Sequence, residues 1–249
     1  MSETTGTKAS EGELFQRFSV QFRVQHVFLF LSTLTLIITG VPLWCMAKPG
    51  FTWSHSIVSF FGDVETFRQF HRLGAAVLIL VSLYHLYYTM FTKEGRREFI
   101  ALLPREKDVI DVTINSLYFM GLSKKRPEFA RYTYYEKFDY WAVYWGCVIM
   151  IGTGAVLWFP ETAAKYVPWL TYSLAAEVHG DEAILATLAL LIWHFYNVHF
   201  SPSRFPGTLL WWHGNMSAKE MMHDHPIEYY KKVLARLRSK RQESGTAAE

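Results

Sequence analysis

The chain has 249 residues, 51% of them hydrophobic and 17% aromatic, with a formal net charge of only +3. That balance excludes an intrinsically disordered chain and lacks the strongly basic face that nucleic-acid binding needs. The mean hydropathy of +0.07 is high for a soluble domain and is diluted by charged connecting segments. The only cysteines, Cys45 and Cys147, fall in apolar runs and form no C-x-x-C, which excludes a cysteine-ligated cluster or a covalently attached cofactor in this chain.

Residues 1–16 are polar and predict a disordered N-terminal arm. The first apolar run starts near Phe22 with no cleavage site after it, so it reads as a span and not as a secretory signal. Four spans of about 20 residues are predicted, over 22–44, 70–91, 138–159 and 174–200, within a membrane domain covering 17–230. The fourth is the least pure, because Glu177, His179, Asp181 and Glu182 crowd its start, and a re-entrant segment is the alternative there. Between spans two and three, Asp108 to Met120 alternates apolar and polar residues as a short amphipathic or loop helix would. Ser201-Pro202 and Phe205-Pro206-Gly207 end the last span, Trp211-Trp212 suit headgroup level, and 231–249 reads as a basic mobile tail.

Of 25 Lys and Arg residues, 21 lie in the N-terminal segment, the 92–137 connection or the stretch after 200. The positive-inside rule then makes both termini cytoplasmic. The expected fold is an all-α integral membrane protein, a bundle of four transmembrane helices in a bacterial or archaeal cytoplasmic membrane.

Five histidines fall at two depths in those spans. His71 and His179 open spans two and four at the outer side; His85 and His194 lie 14 and 15 residues further in, level with His26 of span one, while His199 is also on the inner side. Fourteen residues turn a helix by about 1400°, so His71 and His85 share a face, whereas His179 and His194 differ by about 60° and His199 is rotated about 140° further. Ionisable residues in hydrocarbon are expensive and are read as functional. Paired imidazoles about 4 Å apart across an iron would hold haem of the non-covalent b type. Gly40, Gly74, Gly152, Gly154 and Gly180 lie in the spans, where they open a cofactor slot or permit close helix packing. His55, His213, His223 and His225 read as surface residues.

The motifs resemble a known family. Arg23-Val24-Gln25-His26 followed by Thr39-Gly40 is similar to the first span of the cytochrome b subunit of membrane-bound formate dehydrogenases, a four-helix, two-haem group that also serves some nickel-iron hydrogenases. The likeness continues through Arg68-Gln69-Phe70-His71, Lys137, Tyr140-Trp141, Thr153-Gly154, Trp158, Pro160, His179, His194-Phe195-Tyr196, Gly214, Ser217 and His225-Pro226, over residues 20 to 230. It implies that His26 and His194 ligate an inner haem b and that His71 and His179 ligate an outer one. It further implies a quinone, menaquinone or ubiquinone, beside the inner haem, and an iron-sulfur or multihaem cytochrome c subunit of the same complex at the outer side.

The chain departs from that pattern in three places. His179 to His194 is 15 residues where the family has 14, which predicts a local bulge or a shifted ligand; His85 and His199 are extra; and Tyr132-Thr133-Tyr134-Tyr135-Glu136 replaces the polar stretch that helps form the family's quinone pocket. Other arrangements stay open. His71 with His179 and His85 with His194 would take all four ligands from two helices; His85 with His199 would hold a third haem; or His85 or His199 would relay protons at the quinone site. Quinone-site candidates are His85, His199, Arg131, Glu136 and Lys137. The competing function class is a non-redox membrane anchor or a proton-conducting subunit.

Overall fold

The computed structural model, which describes residues 13–201 and 204–246, is 77% helical. In chain order the elements are β1 (Leu14–Gln16), α1 (Val20–Met46), α2 (Thr52–Phe60), α3 (Val64–Phe91), α4 (Lys93–Leu102), α5 (Glu106–Phe119), α6 (Tyr134–Trp158), α7 (Pro160–Ala163) and α8 (Trp169–Leu188). Then follow π-helical turns over Ala189–His194 and Tyr196–Phe200, α9 (Leu210–His213), β2 (Asn215–Ser217), α10 (Ala218–Asp224) and α11 (Pro226–Thr246). Four helices are long and apolar enough to cross a membrane: α1, α3, α6, and α8 with its π-helical continuation, which together run unbroken for 32 residues from Trp169 to Phe200. The fourth apolar stretch is thus one continuous helix and not a re-entrant segment.

Polar caps place the helix starts ahead of the apolar runs. Helix α3 begins at Val64, before the apolar run at Phe70, because the Asp63 carboxylate accepts the Thr66 N–H at 2.6 Å. That bond, with one from Glu65, holds the Asp63 carboxyl below the usual carboxylate range. Helix α6 begins at Tyr134 because Thr133 and Glu136 cap each other: Thr133 N–H donates to Glu136 Oε2 at 2.8 Å and Glu136 N–H to Thr133 Oγ1 at 3.1 Å.

Contacts divide the chain into two compact units. Of the described residues, the first gathers 13–19, 97–138 and 209–246. Here β1 pairs antiparallel with β2, with Phe15 opposite Met216, and Phe15, Leu210, Met216, Ala218, Met221, Tyr229 and Val233 form a buried core. Two sequence expectations change. Of the arm expected to be disordered through residue 16, residues 14–16 form a strand because Phe15 has a core to enter; residues 1–12 lie outside the described residues. The stretch from Lys231, expected to be a mobile tail, continues α11 to Thr246, anchored by buried Tyr229 and Val233, by Lys232 on Glu228, and by Arg236 on Glu13.

Beside that core lies a network of ions. Glu228 accepts from Arg17 Nη1 at 2.8 Å and from Arg131 Nη1 at 2.9 Å; Glu98 accepts from Arg131 Nε at 2.9 Å and from the Tyr132 hydroxyl at 2.8 Å. Burial opposes ionisation of both carboxyls, but Arg131 beside Glu98, and Arg131, Arg17 and Lys232 around Glu228, hold both below the usual carboxylate range. Burial also lowers the His225 imidazole. A group whose pKa is depressed on folding binds its proton later than in the unfolded chain, so stability is present at neutral pH and is lost as pH falls through the folded values. Glu228→Gln leaves the fully buried Arg17 side chain with only the more distant Glu136 carboxylate, at 3.6 Å, as counter-charge and is expected to cost this unit about 3 kcal/mol. Hydrogen exchange across α10 and α11 should show the loss of protection, and acidification of the unaltered chain should weaken protection in the same segments.

The second unit comprises 20–96 and 139–208. Helices α1 and α3 form its tightest pair, α8 touches α1 more lightly, and α6 meets its neighbours through side chains. A Cβ on Gly74 would lie 3.1 Å from Thr35 Cγ2, so the missing side chain lets α3 approach α1. Leu31, Leu80, Val148 and Ile192 leave apolar side chains exposed on the four helices, as surfaces facing hydrocarbon would.

Candidate functional site

The second unit brings four of its histidines together as two facing pairs. His71 of α3 meets His179 of α8 with ring centres 6.3 Å apart and planes at 73°. His26 of α1 meets His194 of the π-helical turn with ring centres 6.5 Å apart and planes at 35°. Two ligating nitrogens about 4 Å apart across an iron, on rings of about 1.15 Å radius, would put the centres about 6.3 Å apart. Among the described residues no cluster of three or more metal-ligating side chains occurs. A bare ion such as zinc calls for about four protein ligands, whereas an iron already held by a macrocycle needs only two, so the donor set fits haem.

The residues around the His71–His179 pair are prepared for one orientation of each ring. Thr39 Oγ1 lies 2.9 Å from His71 Nδ1, and Thr153 Oγ1 lies 2.9 Å from His179 Nδ1. Each hydroxyl gives its own proton to a carbonyl one turn back, Thr39 to Thr35 at 2.6 Å and Thr153 to Ile149 at 2.7 Å. The threonine oxygen is therefore the acceptor, Nδ1 carries the ring proton, and Nε2 keeps its lone pair. The next residue in both cases is a glycine that clears space: a Cβ would come 3.0 Å from His71 Cε1 at Gly40 and 3.2 Å from His179 Cε1 at Gly154. The same Thr-Gly device thus serves both rings. Gly180 admits the Trp44 indole against its backbone beside His179.

The bulge expected between His179 and His194 takes the form of π-helical turns from Ala189. With about 82° per residue there in place of 100°, the 15 steps total about 1410°, within about 30° of four whole turns. His194 is thereby returned to the face of α8 that carries His179.

Around the His26–His194 pair, two dipeptides tie four helices together. His194 Nδ1 lies 3.2 Å from Asp139 Oδ2 on α6. The neighbour of Asp139, Tyr140, holds His85 Nε2 at 3.1 Å through its hydroxyl, and the neighbour of His26, Gln25, holds His85 Nδ1 at 2.8 Å through Oε1. Both ring nitrogens of His85 are engaged by protein, and His194 faces His26 and not His85. His199 packs between Phe195 and Phe200, with ring centres at 5.8 and 6.3 Å, and touches the Gly207 backbone position.

The remaining quinone-site candidates have partners in the first unit. Arg131 is bound by Glu98 and Glu228, Glu136 caps α6, and Lys137 Nζ donates to both oxygens of Asp108 at 2.9 and 2.8 Å. The T-x-x-E pattern at Thr133–Glu136 is the sequence signal of the cap. His225, expected at the surface, is fully buried, with Nδ1 donating to the Ala130 carbonyl at 2.9 Å; His55, His213 and His223 are exposed. Sequence reasoning passed over Asp139, although a carboxylate inside an apolar run is itself a signal. No protein-family model matches the chain, and no curated protein matches it.

Proposed function

We propose that this chain is a membrane cytochrome b subunit of a respiratory oxidoreductase, with His71 and His179 ligating one b-type haem and His26 and His194 a second. The observation that carries this reading is the pair of imidazole couples at 6.3 and 6.5 Å, each drawn from two different helices. Haem held by these residues would supply one-electron transfer. The chain's own residues orient and exclude: Thr39, Thr153 and Asp139 fix the ring protons on Nδ1, Gly40 and Gly154 leave room beside the rings, and the outward apolar side chains keep water away. The motif likeness to the cytochrome b subunits of formate dehydrogenases and the Lys/Arg distribution support His26–His194 as the cytoplasmic pair, in a bacterial or archaeal inner membrane. On that basis electrons pass between a partner redox subunit at the outer side and a quinone near the cytoplasmic side. On the same reading His85, hydrogen-bonded to Gln25 and Tyr140, hands protons to that quinone.

The test is the haem content of the purified chain. Pyridine haemochrome should give about two haems per chain, all extractable by acid-acetone as expected for bis-histidine b sites. Protein that binds no haem, or retains it covalently, overturns the reading.

A further inference from the structure

The two histidine pairs differ in what holds their Nδ1 nitrogens. His71 and His179 rest on neutral hydroxyls, Thr39 and Thr153, whereas His194 rests on the Asp139 carboxylate. The Asp139 side chain is one quarter exposed, so its charge is not wholly stripped of solvent. The geometry points to Asp139 as a positioning residue that makes the two sites electronically unequal, holding haem at the His26–His194 pair at a lower reduction potential than at the His71–His179 pair. This rests on the haem reading above.

Two effects act in the same direction. A carboxylate that accepts the Nδ1 proton draws it away from the ring and makes Nε2 a stronger electron donor, which favours ferric over ferrous iron. The negative charge also sits behind His194, within one ring of the metal position, where it stabilises the more positive oxidation state. A threonine oxygen does neither to the same degree, because it is a neutral acceptor. Reduction adds one electron and leaves the ligands unchanged, so no proton or co-reactant enters the balance.

The experiment is a redox titration of the whole membrane-bound chain, followed optically and by electron paramagnetic resonance, for the unaltered protein, Asp139→Asn and Asp139→Glu. Asp139→Asn keeps the hydrogen-bond acceptor and removes the charge. It should retain both haems and raise the ferrous-to-ferric ratio of one of them about tenfold at fixed ambient potential, a shift of about 59 mV for one electron. Asp139→Glu should restore the lower potential. Two retained haems with unchanged midpoints in Asp139→Asn overturn the proposal, as does a shift confined to the signal that persists in His26→Ala. Should Asp139→Asn shed a haem, His26→Ala decides: it must remove the lower-potential signal of the unaltered protein, and removal of the higher one overturns the proposal. A haem-free unaltered protein is a separate outcome that sinks the cofactor reading itself.

Discussion

His71→Ala and His179→Ala are each expected to give protein with one haem in place of two, the survivor still reducible by quinol. The two imidazoles come from α3 and α8, and neither has a substitute within reach: the neighbouring oxygens of Thr39 and Thr153 are already spent on the Nδ1 protons. Truncation leaves one ring facing a slot, and haem there would be held by a single imidazole and would bind weakly. The helices are not expected to collapse, because α1 and α3 still pack closely around Gly74 and the other pair is built from different residues. Haemochrome content and the count of low-spin resonances measure the outcome. Full haem content with unchanged spectra in both variants would show that this pair is not a ligand set.

Much of this architecture was legible in the sequence because hydrocarbon imposes simple demands. A 20-residue apolar run must be helical, and histidines within it need partners, so spans and ligand candidates followed from hydropathy and depth. The boundaries were less legible, since the Asp63 and Thr133–Glu136 caps are polar turns that hydropathy averages away. The 15-residue spacing announced a bulge, but only the backbone revealed that π-helical turns from Ala189 absorb it. The first unit was hardest to foresee. Its core joins Phe15 to Met216, Met221 and Tyr229, some 200 residues further along the chain, and its ion network uses residues whose charge read as interfacial or quinone-lining. His225 looked like a surface residue for the same reason: nothing local says that the Ala130 carbonyl will receive its ring proton. Asp139 was visible as a charge in a span, but its partner, His194, depends on the register between α6 and the π-helical turn.

The His26–His194 site carries the sharper prediction, because three ligand arrangements were open in the sequence and the structure distinguishes what each ring touches. His26→Ala and His194→Ala should each remove the second haem together with quinone-linked electron transfer, since those two rings face each other at 6.5 Å. His85→Ala should keep both haems, because the ring it removes gives Nδ1 to Gln25 and Nε2 to Tyr140 and has no nitrogen left for iron. Its loss should fall on quinone turnover and on the pH dependence of that turnover, which a proton-relaying imidazole shapes. A four-ligand arrangement on two helices forecasts the reverse, haem lost in His85→Ala and kept in His26→Ala. A third haem on His85 and His199 forecasts that each of those two variants sheds one haem and leaves two. Electron paramagnetic resonance on the four alanine variants counts low-spin signals directly, and His26→Ala protein that retains every haem would remove His26 from the ligand set and with it the pairing proposed for this site.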